Sequence, residues 1–160
     1  MFTLLLAACS GLGPPPMEPL TAGVLEAAEG RWRTHGTDGY RVVVSVRAPR
    51  FGRAVYEIDV RGGRPVRISR DGEELRAEEA AHHDYSIAGL FELLRSDLAL
   101  NAVRPEGDVP PIDMRAVFEP ETGRLVRFRR TVGSARRRVL LIEVTRYEPA
   151  PSTHLAAAPG

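Results

Sequence analysis

His82, His83 and Asp84 form the one cluster in the sequence whose side-chain types could hold a metal ion. Imidazole nitrogens and carboxylate oxygens both bind zinc, and adjacent residues in a loop can share one site. A zinc site needs three or four ligands, however, and no ligand pair with helical or knuckle spacing is present. We therefore predict a solvated polar loop before a helix, with a metal-dependent active site as the alternative.

Other catalytic patterns are missing from the sequence. There is no Gly-x-Ser-x-Gly elbow, and Gly11-Leu12-Gly13 leads into prolines rather than into a phosphate-binding helix. Glu57 and Asp59 share a predicted sheet face with several arginines, which favours cross-strand charge pairing on a solvated surface. We expect no catalytic residue, no metal and no cofactor.

Cys9 is the only cysteine, so the chain cannot form an intramolecular disulfide. Small residues precede it after an apolar run, and Leu6-Ala7-Ala8-Cys9 resembles the lipobox of bacterial lipoproteins. The resemblance implies acylation of the Cys9 thiol and cleavage before it, with residues 1–8 as the remnant of a signal peptide. The alternative is a chance cysteine in an apolar N-terminus.

The segment after Cys9 fits a tether. Residues 9–17 are rich in Gly and Pro, a composition typical of extended linkers. Two or more acyl chains on Cys9 give stable anchoring, whereas one alone is marginal. We expect a cell-envelope lipoprotein held at a membrane through Cys9 and facing the periplasm or the exterior, with an envelope protein as a further partner.

Composition limits the other partners. The 160 residues carry 22 basic and 21 acidic side chains, a formal net charge of +1. A balance this even gives no electrostatic reason to expect nucleic-acid binding. Every basic residue is an arginine, spread over all segments, which is more typical of codon bias than of one anion site.

An apolar helix near the middle of the chain organises the predicted fold. Ser86 is a suitable N-cap, and Tyr85 and Leu90 occupy the positions of a hydrophobic staple. Apolar residues then recur on one helical face, and a first helix over residues 19–35 has a similar stripe. The two stripes are Ile87, Leu90, Phe91, Leu94 and Leu98, and Leu20, Val24, Leu25, Ala28 and Trp32.

Six segments have strand character, three between the helices and three after them. The alternation is clearest at Tyr40, Val42, Val44 and Val46, and the segment over 138–147 is apolar on both faces, which places it centrally. We predict an α+β fold in α-βββ-α-βββ order, with a mainly antiparallel sheet of about six strands and two helices on one face. Residues 18–148 would form a single domain and residues 149–160 a disordered tail.

Several of these features occur together in one known family. They are the lipobox leader, the step from Trp32 to Tyr40, the Ile87, Leu90, Phe91 helix and the later strand–turn–strand with Phe118, Gly123 and Leu125. Over residues 31–148 the chain resembles the DUF6174 family of small bacterial lipoproteins. The resemblance implies no activity, because the function of that domain is unknown.

The sequence favours a non-catalytic envelope lipoprotein that acts as an interaction or ligand-binding module. Two alternatives remain, a metal-dependent enzyme using His82, His83 and Asp84, and a carrier for an apolar molecule held between helix and sheet.

Replacing Cys9 tests the predicted anchor. In the native host, Cys9→Ala should abolish labelling by a lipid precursor and move the protein out of the membrane fraction, because no thiol remains to be acylated. The fold, measured by circular dichroism, should be unchanged. A native protein whose mass shows an unmodified N-terminus through Cys9 would contradict the prediction.

Overall fold

The computed structural model describes residues 15–49, 51–104, 110–133 and 138–150. Cys9 and the lipobox lie outside these residues. The described residues contain eight strands and three helices. In chain order they are β1 (Glu18–Pro19), α1 (Ala22–His35), β2 (Tyr40–Ala48), β3 (Gly52–Arg61), β4 (Arg64–Arg70), β5 (Glu73–Glu74), α2 (Ala77–Ala80), α3 (Ile87–Ala102), β6 (Ile112–Phe118), β7 (Leu125–Val132) and β8 (Val139–Pro149).

All described strands join one antiparallel sheet, in the order β1-β6-β7-β8-β2-β3-β4-β5. The predicted α+β class is confirmed, and β8 lies in the middle of the sheet. The predicted count of about six strands and two helices was too low. The six long strands and two long helices are present, but β1, β5 and the single turn α2 are additional. Elements of two to four residues are too short to show a periodic pattern.

The inner face of the sheet follows the predicted alternation. Val42 and Val44 are fully buried, and Tyr56, Ile58 and Val60 on β3 are buried beside them. Helices α1 and α3 contact each other and bury their apolar residues in the same core as these strands. One face of the sheet is therefore the protein's main hydrophobic core.

The start of α3 is fixed by two hydroxyl groups. Ser86 is the N-cap, and its Oγ accepts the backbone N–H of Gly89 at 3.1 Å. The backbone N–H of Ile87 donates to Oη of Tyr40, the first residue of β2, over 2.9 Å. Burial raises the pKa of Tyr40 to about 12, so this hydroxyl stays neutral. The side chains of Ile87, Leu90, Phe91 and Leu94 on the predicted face of α3 are buried.

Helix α1 begins after the N-cap Thr21 and differs from its prediction at two side chains. Leu25 and Ala28 are buried as expected, but Val24 is 36% exposed, because it lies at the edge of the apolar stripe. Trp32 is only half-buried and makes edge contacts with the rings of Tyr40 and Tyr147, with centroids 5.7 and 6.0 Å apart. The tryptophan therefore closes one border of the core.

Gly123, in the turn between β6 and β7, brings that turn against α1. Its φ of 75° is unfavourable for other residues, and a Cβ atom there would lie 2.0 Å from the carbonyl oxygen of Ala28. A side chain at this position would push the hairpin away from the helix.

The outer face of the sheet carries paired charges, as the sequence predicted. Arg41 and Asp59 are opposite each other on β2 and β3, and Arg41 Nε donates to Asp59 Oδ1 at 2.6 Å. That hydrogen bond lowers the pKa of Asp59. Arg127 and Glu143 form the equivalent pair between β7 and β8, at 2.9 Å. Both pairs are partly exposed, so they add little to the free energy of folding and mainly keep this face of the sheet soluble.

The two ends of the predicted domain lie in the sheet. Glu18 pairs with Ala116, and Pro149 pairs with Tyr40, one residue beyond the predicted boundary. The remainder of the predicted tail, residues 151–160, lies outside the described residues. None of the helices in the described part of the chain has the length and apolar character needed to cross a membrane.

Truncating Leu90 tests the packing of α3. Leu90→Ala should lower the free energy of unfolding by about 2–5 kcal/mol, because this fully buried side chain would leave a cavity. Leu100→Ala on the same helix is the control; Leu100 is 63% exposed and its loss should cost under about 0.5 kcal/mol. Equal urea midpoints for the two variants would contradict the placement of α3.

Candidate binding site

The three residues of the predicted metal cluster point to different surroundings. His82 is exposed, whereas the ring of His83 lies 5.4 Å from that of Tyr56 and 6.4 Å from that of Tyr85. Asp84 Oδ1 accepts the backbone N–H of Ser86 at 2.9 Å, just before α3. Across the described ranges, no three potential metal ligands come together.

The environment of His83 indicates a packing role. Burial, with Arg70 nearby, lowers the pKa of His83 and favours the neutral ring. Its Nδ1 is buried without a hydrogen-bond partner among the described residues. The neutral ring stacks with the two tyrosines, whose own centroids are 4.6 Å apart. The aromatic group thus fixes the connection between β5 and α3.

An ion pair joins β7 to α3 on the inner face of the sheet. Phe128 on β7 is fully buried, so Arg130, two residues later, also faces the helices. Arg130 Nη1 donates to Oδ1 of Asp97 on α3. The Asp97 side chain is 11% exposed, and burial raises its pKa although the charge of Arg130 opposes the shift. Asp97 Oδ2 has no partner among the described residues.

Beyond this ion pair, none of the helices that the structure describes contributes a residue to the lining of the inner face. A depression of about 610 Å³ opens there, within the size range of small-molecule sites. It lies between the turn that joins β2 to β3 and the adjoining ends of β7 and β8. Apolar side chains dominate its surface, and the two charged residues among the described residues that line it are both arginines. The lining residues are Ala48, Pro49, Phe51, Arg130, Val132, Arg138 and Leu140.

Phe51 is the most unusual residue of the depression. It is 79% exposed, the highest exposure among the large apolar side chains of the described residues. Exposing an aromatic ring to water forgoes its burial energy, about 1.5–3 kcal/mol. Gly52, which follows with a φ of 71°, makes the turn that places Phe51 beside the depression. An occupant could cover this ring.

The depression lies at the end of the sheet opposite the one toward which residues 15–17 lead. Ile112 pairs with Val132, which places the depression beside the start of β6. Strand β1 runs antiparallel to β6, with Glu18 opposite Ala116, so the chain before Glu18 heads toward the other end of β6. Residues 15–17 therefore lead toward the end of the strands that is opposite the depression.

A second groove, between α1 and α3, is less suited to binding. Its floor includes Tyr40, Trp32 and Phe91, but charged residues of both signs surround it. Arg95 crosses between the helices and bonds to Glu29 Oε2 at 2.8 Å and also to Glu92. These ion pairs satisfy charges at the rim, whereas the described residues that line the end depression are apolar except for two arginines.

The depression is therefore the candidate site, and it differs from the sites that the sequence suggested. The sequence drew attention to Cys9, His82, His83 and Asp84 but not to Phe51, Arg138 or Leu140. The available signal was a phenylalanine between Pro49 and Gly52, in a turn where a polar residue is usual. The amino-acid sequence matches no family model and no curated protein.

Removing Arg130 tests the ion pair. Arg130→Met should destabilise the fold by roughly 1–3 kcal/mol near neutral pH, because the Asp97 carboxylate would stay buried without its partner. Since the folded-state pKa of Asp97 is raised, protonation in mild acid favours the folded state. Because loss of the Arg130 charge raises the pKa of Asp97 further, the deficit relative to the unchanged protein should shrink as the pH is lowered from neutral into the mildly acidic range.

Arg127→Met on the outer face is the matched control. The pair of Arg127 with Glu143 is 37% and 34% exposed, so its loss should cost under about 1 kcal/mol. Urea unfolding of both variants at the two pH values makes the comparison. A deficit of Arg130→Met that is the same at both pH values would be inconsistent with a desolvated Asp97 carboxylate.

Proposed function

We propose that the protein is a non-catalytic cell-envelope lipoprotein, acylated on Cys9, that serves as a ligand-binding or interaction module. The observation that carries this proposal is the apolar depression at the uncovered end of the sheet. Phe51 is 79% exposed beside Leu140 and Val132. An exposed apolar surface of this kind is suited to binding a ligand or a partner protein.

The position of the depression supports the anchored arrangement. Residues 15–17 head toward the opposite end of the sheet, so a membrane-bound Cys9 on that side would leave the depression accessible from the envelope space. The lipobox pattern of Leu6-Ala7-Ala8-Cys9 supports the same localisation. In this view the domain presents its site at a distance from the membrane.

The geometry gives less support to the metal-dependent alternative. That activity needs His82, His83 and Asp84 to converge, yet His83 packs on Tyr56 and Asp84 binds backbone ahead of α3. The carrier alternative has a specific observation in its favour, because the lining of the depression is mostly apolar. It is a particular form of the binding function proposed here.

Site-directed photo-crosslinking in the native host tests this function. A benzophenone amino acid in place of Phe51 should form an adduct whose mass identifies either a small molecule or a partner chain. The same substitution at Leu100 is the control, because Leu100 is 63% exposed on α3 and lines neither the depression nor the groove beside β4 and α2. Adducts that are absent, or identical at the two positions, would contradict the proposal.

A further inference from the structure

We propose that the end depression binds a single-chain amphiphile, an acyl chain that carries an acidic head group. This inference rests on the proposed binding function and names the class of ligand. Both a carboxylate and a phosphate head satisfy the same chemistry. The tests below separate these two sources.

The lining predicts the apolar part of the ligand. Apolar side chains come from both sides of the depression, with Pro49 and Phe51 in the turn after β2 and Val132 and Leu140 on β7 and β8. An extended hydrocarbon chain lying against them would cover Phe51 and remove apolar surface from water, which favours binding. A polar ligand would gain nothing from these walls.

The charges predict the head group. Arg130 and Arg138 both line the depression, and no carboxylate is among its described lining residues. Arg130 shares its charge with Asp97, whereas no described carboxylate lies within ion-pair distance of Arg138. Guanidinium groups bind carboxylates and phosphates through paired N–H donors. The depression therefore favours an anion next to its apolar wall.

The shape favours one molecule over a membrane surface. A bilayer is contacted by protruding loops, whereas this surface is concave, with a volume of about 610 Å³ between two groups of strand ends. The depression is open to solvent on one side, so an occupant would be covered only in part. Binding of a vesicle, of an acidic peptide or of a second copy of the chain is an alternative that the experiment must distinguish.

Calorimetric titration of the full chain carrying Cys9→Ser, which is not acylated, tests the inference. The probes are dodecanoate, lysophosphatidylglycerol, dodecanol and dodecyltrimethylammonium, each kept below its micelle concentration. The acidic probes should bind at least about tenfold more tightly than the neutral and cationic probes. Binding of dodecanoate alone would identify a carboxylate ligand, and binding of the phosphate probe alone a phospholipid-derived ligand.

Two exposed positions connect the binding to the depression. Phe51→Ser should weaken dodecanoate binding about tenfold by removing apolar contact, and Arg138→Gln by a similar factor. Arg138→Glu should reverse the preference toward the cationic probe. Val66→Ser and Arg64→Gln on β4 are matched controls that should leave the affinity unchanged. Unchanged urea midpoints would show that all five variants fold.

Several results would overturn the inference. The first is equal affinity for dodecanoate and dodecanol. The second is a loss of affinity in the control variants as large as in the Phe51 and Arg138 variants. The third is binding to anionic vesicles without binding to monomeric amphiphile. A concentration-dependent dimer that Phe51→Ser abolishes would also overturn it. A protein adduct at position 51 that dodecanoate does not displace would refute this ligand while leaving the proposed binding function intact.

Discussion

The strands are longer than the helices that pack on them, and this difference determines where the candidate binding surface lies. Helix α3 has 16 residues and is about 24 Å long, whereas β8 has 11 residues and extends about 37 Å. Because the Tyr40 hydroxyl and the Ser86 cap fix α3 at one end of the sheet, the uncovered apolar surface collects at the other end. The candidate binding site is that surface.

A partly buried ion pair marks the border between the part of the sheet that α3 covers and the open end. Arg130 and Asp97 form an ion pair where α3 approaches the open end, and burial raises the pKa of Asp97. In the outer-face pair of Arg41 with Asp59, by contrast, the hydrogen bond outweighs desolvation and the pKa of Asp59 is lowered. The inner ion pair therefore ends the hydrophobic core on one side and supplies a guanidinium to the depression on the other.

The sequence predicted the features that depend on local pattern. The Ser86 cap, the buried face of α3 and the alternation of Val42 and Val44 are all present, since spacing along the chain determines them. Strand β1 was missed because Glu18 gains its partner, Ala116, only through the fold. Val24 was assigned to the core because it lies next to the apolar stripe.

The candidate site could not be predicted in the same way. Its residues come from the turn after β2 and from the ends of β7 and β8, which are far apart in the chain. An inward arginine on β7 contradicts the polarity expected of a core strand, and only Asp97 on a distant helix accounts for it. The histidine cluster attracted attention by residue type, although aromatic packing and helix capping explain His83 and Asp84.

Amide hydrogen exchange with and without dodecanoate tests most directly whether the uncovered end of the sheet is the binding site. The amphiphile should slow exchange in peptides that cover residues 47–53 and 138–142, because it would exclude water from the turn after β2 and the start of β8. Peptides over residues 62–75, on the far side of the sheet, should be unchanged. Protection confined to the groove between α1 and α3, or protection nowhere, would contradict the account.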